Sequence, residues 1–305
     1  MELFLQLLIT GFMVGSIYAL VALGWVIIYK CSGVLNLAMG ELTMIGGYVS
    51  LFLYQWILAT TPQMSPYAAF VLGLIGTLAV GFILGLITER LFLRKMIGEP
   101  VLAVIMVTVG LSFVFKGLVF LIWDTDTQLF EPRIFPLEPF SIGNIKLGQV
   151  YVWGFLASMI LMSALISFFK YTRWGLSMQA CADDEMAALS LGVSAKFVYA
   201  LAWAIAFMSA GVGGTLLGNI NGLNYSVSLL GLLVLPVVVF GGLNSIPGAI
   251  VGGMVIGVLE NFAGGYLEQI HFFAGSKEIA PFVFMVVFLL VKPYGLWGWE
   301  RIERV

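Results

Sequence analysis

Charged side chains are scarce in this sequence. Asp, Glu, Lys and Arg make up only 10% of the 305 residues, whereas hydrophobic residues make up 61%. The mean hydropathy is +1.06. A soluble domain of this length needs more polar surface, so the composition indicates an integral membrane protein. The net charge of −2 is uninformative, and we expect no nucleic acid as a partner.

Residues that form disulfides or bind metals are also scarce. The chain has two cysteines, Cys31 and Cys181, and one histidine, His271. These numbers allow neither a disulfide framework nor a metal-binding cluster. The sequence contains no nucleotide-binding loop and no Ser-His-Asp set. We therefore expect no catalysis, no metal and no cofactor on this chain.

Long apolar runs fill most of the sequence. A membrane-spanning helix needs about 20 apolar residues, and these runs do not alternate as barrel strands do. The pattern predicts one all-α polytopic membrane domain over residues 1–305, with eight or nine transmembrane helices, some of them broken. The seventh and ninth runs are short and are candidate half-spans. The predicted spans are Leu3–Tyr29, Val34–Leu58, Tyr67–Thr88, Val101–Trp123, Val150–Phe169, Phe197–Gly218, Ser228–Phe240, Pro247–Ile270 and Ile279–Val291.

The distribution of Lys and Arg predicts the orientation. With nine crossings and the N-terminus outside, ten of the 14 basic residues fall on inner segments and three on outer segments, while Lys116 lies within a span. The inner group includes Arg301 and Arg304. This asymmetry follows the positive-inside rule, so we expect the C-terminus in the cytoplasm. The long loop 124–149 then lies outside, either as an ordinary solvated loop or as a binding site for a partner.

One polar island interrupts the apolar sequence at about residues 171–196, on the predicted cytoplasmic side. Asp183, Asp184 and Glu185 favour a helix start, with an Asp as the N-cap, and Gly192 favours its end. Between them lies a short helix with few residues of its own chain to cover it. It is either an amphipathic helix at the membrane surface or a docking element for a cytoplasmic subunit.

Four sequence blocks carry a resemblance to a known family. They are Gln179–Val193, Gly33–Tyr48, Gly241–Gly253 and Leu290–Gly298. Their order and spacing over the whole chain resemble the high-affinity branched-chain amino-acid (Liv-type) permeases of ATP-binding-cassette (ABC) importers, and specifically the shorter permease of the pair. The resemblance identifies the polar island as a coupling helix, with ATPase-docking residues Ala182, Asp183, Asp184, Glu185, Ala187, Leu191 and Gly192.

The resemblance also implies an assembly in the bacterial inner membrane. Its expected partners, besides membrane lipid, are a second homologous permease, two cytoplasmic ATPases and a periplasmic solute-binding protein. ATP and Mg are expected on the ATPases. A stand-alone secondary transporter or small-solute channel is the alternative, because it shares every feature except the exposed helix. A membrane enzyme would need a catalytic cluster that the sequence lacks.

Candidate residues for the translocation path or its gate come from irregular and charged positions. The pattern Gly-x-Leu-Asn-x-x-x-Gly occurs at Gly33–Gly40 and at Gly241–Gly248, either by coincidence or as an internal repeat. As a repeat, it predicts that its asparagines cap or interrupt helices. Pro236, followed by Gly241 and Gly242, also fits a discontinuous seventh helix. Buried charges usually face the interior of a helical bundle, although those near a span end can also snorkel. The candidates are Asn36, Met39, Glu41, Pro236, Asn244 and Glu260.

Two positions depart from the family pattern. Met39 stands where relatives often carry a polar residue, and the seventh span contains Leu233–Val237 where relatives often have a lysine. Both changes make the expected path more apolar. The substrate expectation therefore includes branched-chain amino acids and also urea, amides, and aromatic or other small organic acids.

Overall fold

The computed structural model describes residues 2–136, 138–142, 145–268 and 275–298. His271, Arg301 and Arg304 lie outside this range, as does the end of the eighth predicted span, Pro247–Ile270. The helices in chain order are α1 (Glu2–Ser32), α2 (Met39–Thr60), α3 (Pro66–Leu91), α4 (Val101–Trp123), α5 (Gln149–Tyr171), α6 (Arg173–Asp183), α7 (Glu185–Ser190), α8 (Ala195–Asn221), α9 (Ser226–Gly241), α10 (Ile246–Phe262) and α11 (Ser276–Val291).

Four smaller elements complete the described fold. A 3-10 turn at Leu93–Met96 extends α3, and a π-helical turn at Ala263–Leu267 extends α10. Strands β1 (Phe140–Ile142) and β2 (Ile145–Leu147) pair antiparallel, with Phe140 opposite Leu147.

Seven of the helices are long and apolar enough to cross a membrane: α1, α2, α3, α4, α5, α8 and α10. This confirms the all-α polytopic membrane fold. The seventh and ninth predicted spans correspond to α9 and α11, which have 16 residues each. A helix of that length rises only about 24 Å, less than the roughly 30 Å of a bilayer core. The orientation of the termini stays a prediction.

Helices α1 and α8 form the centre of the bundle. Most of their residues are buried, whereas α3, α4 and α5 expose much of their surface. Small residues allow close backbone contacts there: a Cβ on Gly214 of α8 would collide with the Thr43 carbonyl of α2, and one on Gly257 of α10 would collide with Gly15 of α1. The small-residue spacing in the sequence therefore reflects helix packing, as membrane helices require.

The predicted start of the second span, Val34, is wrong. Residues 33–38 are not helical, and α2 begins at Met39. Gly33 has φ +66°, and the Asn36 side chain accepts a hydrogen bond from Ala38 N at 3.0 Å. A side chain that satisfies a nearby backbone N–H competes with helix formation, which explains the delayed start.

Candidate docking surface and membrane pathway

Helix α7 is closed at both ends by hydrogen bonds. Asp184 is its N-cap and accepts from Ala187 N at 2.9 Å. At the other end, Gly192 has φ +84° and donates to Leu189 O, while Val193 N donates to Ala188 O at 3.0 Å. This pair of bonds is a Schellman motif, which requires a left-handed residue at Gly192. The chain therefore holds a helix of only six residues in a defined shape.

The outer face of α7 is apolar and uncovered within this chain. Met186 is 74% exposed and Leu191 82%, whereas Ala188 is buried against the protein. Under the helix, the thiol of Cys181 is buried, and this burial together with the Glu185 carboxylate raises the pKa of the thiol. Helix α7 therefore packs against buried residues on one side and exposes apolar side chains on the other.

The docking residues predicted from the sequence divide into two groups. Asp184, Glu185, Ala187, Leu191 and Gly192 cap, form or end α7, as expected. Ala182 and Asp183 do not belong to it, because they end the preceding helix α6. The Asp that was expected to be the N-cap is Asp184, which takes an extended conformation that separates the two helices and caps α7 with its side chain.

Glu185 also connects α7 to the membrane domain. Its carboxylate interacts electrostatically with the hydroxyl of Tyr199, near the start of α8. Both residues line a cleft of about 180 Å³ that also contains Gly33, Glu89 and Trp203. The cleft therefore joins the base of α7 to the non-helical segment before α2.

That segment, residues 33–38, is held inside the helical bundle. Trp25 Nε1 donates to Asn36 O at 2.9 Å. The Thr108 hydroxyl donates to Leu35 O at 3.2 Å and accepts from Leu37 N at 3.4 Å. Thr108 lies seven residues into α4, about 10 Å along that helix. The segment therefore lies beside α4 within the bundle, and protein groups satisfy several of its backbone groups, as irregular backbone inside a membrane protein requires.

The candidates on this segment and at the start of α2 lie together. Asn36 is buried, and its Nδ2 lies 3.8 Å from the sulfur of Met39, which is also buried. Glu41 follows in the first turn of α2, half-buried, and interacts electrostatically with Lys116 of α4. The Nζ of Lys116 lies 3.9 Å from the centre of the Tyr225 ring. Lys116 is thus held by an aromatic ring within the bundle.

Glu260 lies in a separate polar cluster. Its side chain is buried beside the Tyr18 hydroxyl, and its Oε1 lies 3.7 Å from Lys277 Nζ of α11. Its Oε2 is buried and has no hydrogen-bond partner within the described part of the chain. The structure therefore does not bring Glu260 together with Asn36, Met39 and Glu41.

The remaining candidates do not break helices. Pro236 lies inside α9, which continues to Gly241, so the expected discontinuity at this proline is wrong. Membrane helices tolerate the lost N–H where neighbours satisfy the freed carbonyl. Asn244 lies in the turn before α10, but Ser245 is the N-cap and accepts from Gly248 N at 3.1 Å. Asn244 instead lines a groove of about 400 Å³ with Lys30, Lys170 and Gln179.

Two features were missed in the sequence. Glu89 is buried and makes a bidentate ion pair with Arg94, whose Nη2 lies 2.8 Å from Glu89 Oε2. The signal for this ion pair in the sequence was an acidic and a basic residue five positions apart at the end of an apolar run. The second feature is the packing of the loop 124–149 against the bundle, for which the apolar residues within the loop were the signal.

That loop is docked onto the protein along part of its length. Gln128 and Leu223 exchange two backbone hydrogen bonds of 2.9 and 2.8 Å. The Tyr54 hydroxyl donates to Pro132 O at 2.7 Å, and Phe130 packs against the rings of Tyr54 and Phe70. The interpretation of an ordinary solvated loop is therefore wrong for these residues. Binding of a partner to this loop stays a prediction.

A multi-helix bundle with a buried non-helical segment and an exposed capped helix defines a polytopic membrane protein. Residues 7–292 match the family model described as branched-chain amino acid transport system / permease component. The chain belongs to this family, whose members are transport subunits, and membership implies that it works within a transporter complex.

Several curated relatives cover the chain. The high-affinity branched-chain amino acid transport system permease protein LivH of Salmonella typhimurium is 32% identical over 99% of this chain and 98% of its own. The protein BraD of Pseudomonas aeruginosa, described in the same words, is 30% identical over the same shares. The nucleoside ABC transporter permease protein NupC of Lactococcus lactis is 33% identical over 48% of each chain.

Proposed function

We propose that this chain is the membrane-spanning subunit of an ATP-driven importer in the bacterial inner membrane. Its substrate is a branched-chain amino acid or a related small polar or organic solute. The names of LivH and BraD support the amino acid, and both match nearly the full chain. The chain itself performs no catalysis, and ATP and Mg bind to partner subunits.

The single observation that carries this proposal is the exposed helix α7. A soluble ATPase drives a membrane protein only through a contact that survives repeated conformational change. A short helix fixed by Asp184 and Gly192, with Met186 and Leu191 exposed, fits an apolar groove on such a subunit. A stand-alone transporter has no need of this element.

The proposed assembly contains four kinds of partner. Two cytoplasmic ATPases bind at the α7 end, a second homologous permease completes the membrane unit, and a periplasmic solute-binding protein delivers the substrate. Membrane lipid covers the exposed helices α3, α4 and α5. The N-terminus is outside and the C-terminus inside, in agreement with the distribution of Lys and Arg.

The path or its gate includes the break before α2. Residues 33–38 connect the cleft under α7 to the buried Met39 and half-buried Glu41. A movement of α7 therefore has a short physical route to an irregular segment at membrane depth. Glu41, which interacts electrostatically with Lys116, is the candidate that we place first at this gate.

The test is co-purification from native membranes in mild detergent, followed by mass spectrometry. We expect two ATPases and a second permease to accompany the chain. Glu185→Lys reverses a charge at the base of α7, and Gly192→Pro is incompatible with φ +84°. Both variants should insert into the membrane but lose the ATPases.

Lys146→Glu is the matched control, because it changes a charge at the other end of the molecule. Recovery of the wild-type chain alone, under conditions that preserve a known complex, would favour a secondary transporter or channel. Normal ATPase recovery with both α7 variants would remove the docking assignment.

A further inference from the structure

A charged pair lies at one side of the bundle, where α4 and the start of α9 pack against α2. Glu41, in the first turn of α2, interacts electrostatically with Lys116 of α4, whose Nζ lies over the Tyr225 ring. The chain does not enclose these groups: Glu41 and Lys116 are half-buried, and Tyr225 is 39% exposed. Ser226, the first residue of α9, is also exposed beside them. We call Glu41, Lys116, Tyr225 and Ser226 the α4–α9 flank.

The depth of Glu41 follows from the packing of α2 on α8. A Cβ on Gly46 of α2 would collide with Gly211 of α8, so these two residues lie at the same level. Gly47 in turn lies against Gly214, so the two helices run in the same direction. Gly211 is about 24 Å from the start of α8 and about 15 Å from its end. Glu41 precedes Gly46 by about 8 Å along α2 and is therefore level with the middle of α8.

The start of α9 lies at a similar depth. A Cβ on Gly40, next to Glu41, would collide with the Ser228 carbonyl in the first turn of α9. Tyr225, which precedes this turn, and the Lys116 ammonium over its ring are therefore far from both ends of the bundle. The hydrocarbon core of a bilayer is about 30 Å thick, so a surface at this depth is covered by lipid chains unless protein or a water-filled space shields it.

The two charges of the α4–α9 flank are not matched within the chain. Neither Lys116 nor Glu41 makes an ion pair with any residue that the structure describes. An ammonium group has three N–H donors, and the Tyr225 ring covers only one side of Lys116. Ionisable groups at membrane depth are costly against lipid, so they face protein or water. The α4–α9 flank therefore requires a covering that offers oxygen acceptors.

The opposite face of α4 has the composition that lipid requires. Val114 and Leu118 lie two positions from Lys116, about 200° around the helix, and are 53% and 45% exposed. Lys116 is the only charged residue in α4. One face of α4 is thus apolar throughout, whereas the other carries the charge.

We propose that the α4–α9 flank faces the second permease, which supplies acceptors to Lys116 and donors to Glu41, while lipid covers the opposite face of α4. The proposal rests on the proposed function, in which a second homologous permease completes the membrane unit, and it assigns the side on which that permease binds. Charge complementarity selects this occupant, because lipid chains offer neither acceptors nor donors. The gate residue Glu41 then lies at the boundary between the two permeases.

The test is photo-cross-linking of the complex in native membranes. The photoreactive amino acid p-benzoylphenylalanine replaces Ser226 on the flank or, as the matched control, Val114 on the opposite face of α4. It bonds to whatever C–H group lies beside it, and mass spectrometry identifies the product. We expect the probe at Ser226 to link to the second permease at least tenfold more than the probe at Val114, whose products are with lipid.

Substitution of Lys116 tests the charge itself. Lys116→Leu should lower the amount of second permease that co-purifies with the chain by about tenfold or more, because groups that pair with the ammonium lose their partner. Lys116→Arg keeps the charge and should retain most of the second permease. Leu118→Met, on the opposite face of α4, should change nothing. Against lipid, Lys116→Leu would instead remove a costly charge and leave recovery of the second permease intact.

The proposal is overturned if the probe at Ser226 gives no product with the second permease, links only to lipid or to a second copy of this chain, or links no better than the probe at Val114. Full recovery of the second permease with Lys116→Leu also overturns it. The proposed function fails by a different readout, which is recovery of the wild-type chain alone. The two failures are therefore distinguishable.

Discussion

The two ends of α8 present different surfaces. Near Ala195, the helix adjoins α7, whose apolar side chains are exposed, and a cleft lined by Glu89, Glu99 and Glu185. Near Asn221, it lies under a docked loop, and the pocket there is lined by Arg133 and amide side chains. One helix therefore connects a convex surface with exposed apolar residues to a concave site with polar and apolar walls.

This difference separates two kinds of recognition. A convex apolar helix with fixed ends suits a protein groove, whereas a small pocket with one cation suits a small solute. The closely packed middle of α8, against α1, α2 and α3, makes the helix a rigid connection between the two. If this account is right, a change at one end alters one kind of binding and leaves the other intact, while a change in the middle affects both.

The largest effect is expected from Gly214→Leu, in the middle of α8. A side chain there collides with the Thr43 carbonyl of α2, so the two helices must separate. Overpacking of this kind costs about 3 kcal/mol or more, and we expect little folded protein by fluorescence-detected size-exclusion chromatography. Gly110→Leu is the control, since no atom lies within 4 Å of a Cβ there. Equal yields of the two variants would show that α8 is not tightly held.

Leu191→Asp should have the next largest effect, confined to the α7 end. The residue is 82% exposed, so the change leaves the fold intact but removes an apolar contact with the ATPase. We expect at least about a tenfold loss of ATPase recovery, as for a central interface residue. Leu176→Asp on α6 is the matched control, because Leu176 is also exposed but lies outside α7. Similar losses in both variants would mean that α7 is not the specific docking element.

Tyr199→Phe should have a smaller effect on the same end. It removes the hydroxyl that interacts with the Glu185 carboxylate, and a single polar contact of this kind contributes about 1 kcal/mol. We expect the ATPases to remain bound and substrate-stimulated ATP hydrolysis to fall a few-fold. Glu185→Gln keeps an acceptor for the hydroxyl and should lose less. Unchanged stimulation in Tyr199→Phe would exclude this contact from coupling.

Glu260→Gln should have the smallest effect. Its ion-pair partner Lys277 is 46% exposed, and such partly exposed pairs contribute about 0–1 kcal/mol. We expect a small shift in melting temperature, with ATPase recovery and substrate uptake in proteoliposomes retained. Lost uptake at unchanged melting temperature would instead place Glu260 on the path.

The periodic features of the fold could be predicted from the sequence. The apolar runs predicted the membrane helices. The seventh and ninth runs, which are short, correspond to helices of 16 residues each. The polar island predicted a short capped helix, because Asp favours the start of a helix and Gly favours its end through local backbone interactions.

Features set by distant contacts could not be predicted. The position of residues 33–38 inside the bundle depends on Trp25 of α1 and Thr108 of α4. The pocket at the end of α8 depends on a bridge between Gln128 and Leu223. Helix α9 continues through Pro236, which the local preference of proline does not predict. Sequence patterns report local preference, and none of these contacts is local.

The most direct test of the central claim is cysteine cross-linking in the purified complex. Both native cysteines are buried, so Leu191→Cys introduces an accessible thiol on α7, and Arg133→Cys introduces one at the other end. With a bifunctional maleimide, the account predicts that Leu191→Cys is linked to an ATPase subunit and that Arg133→Cys is not. Cross-linking of the ATPase to Arg133→Cys, with none to Leu191→Cys, would contradict it.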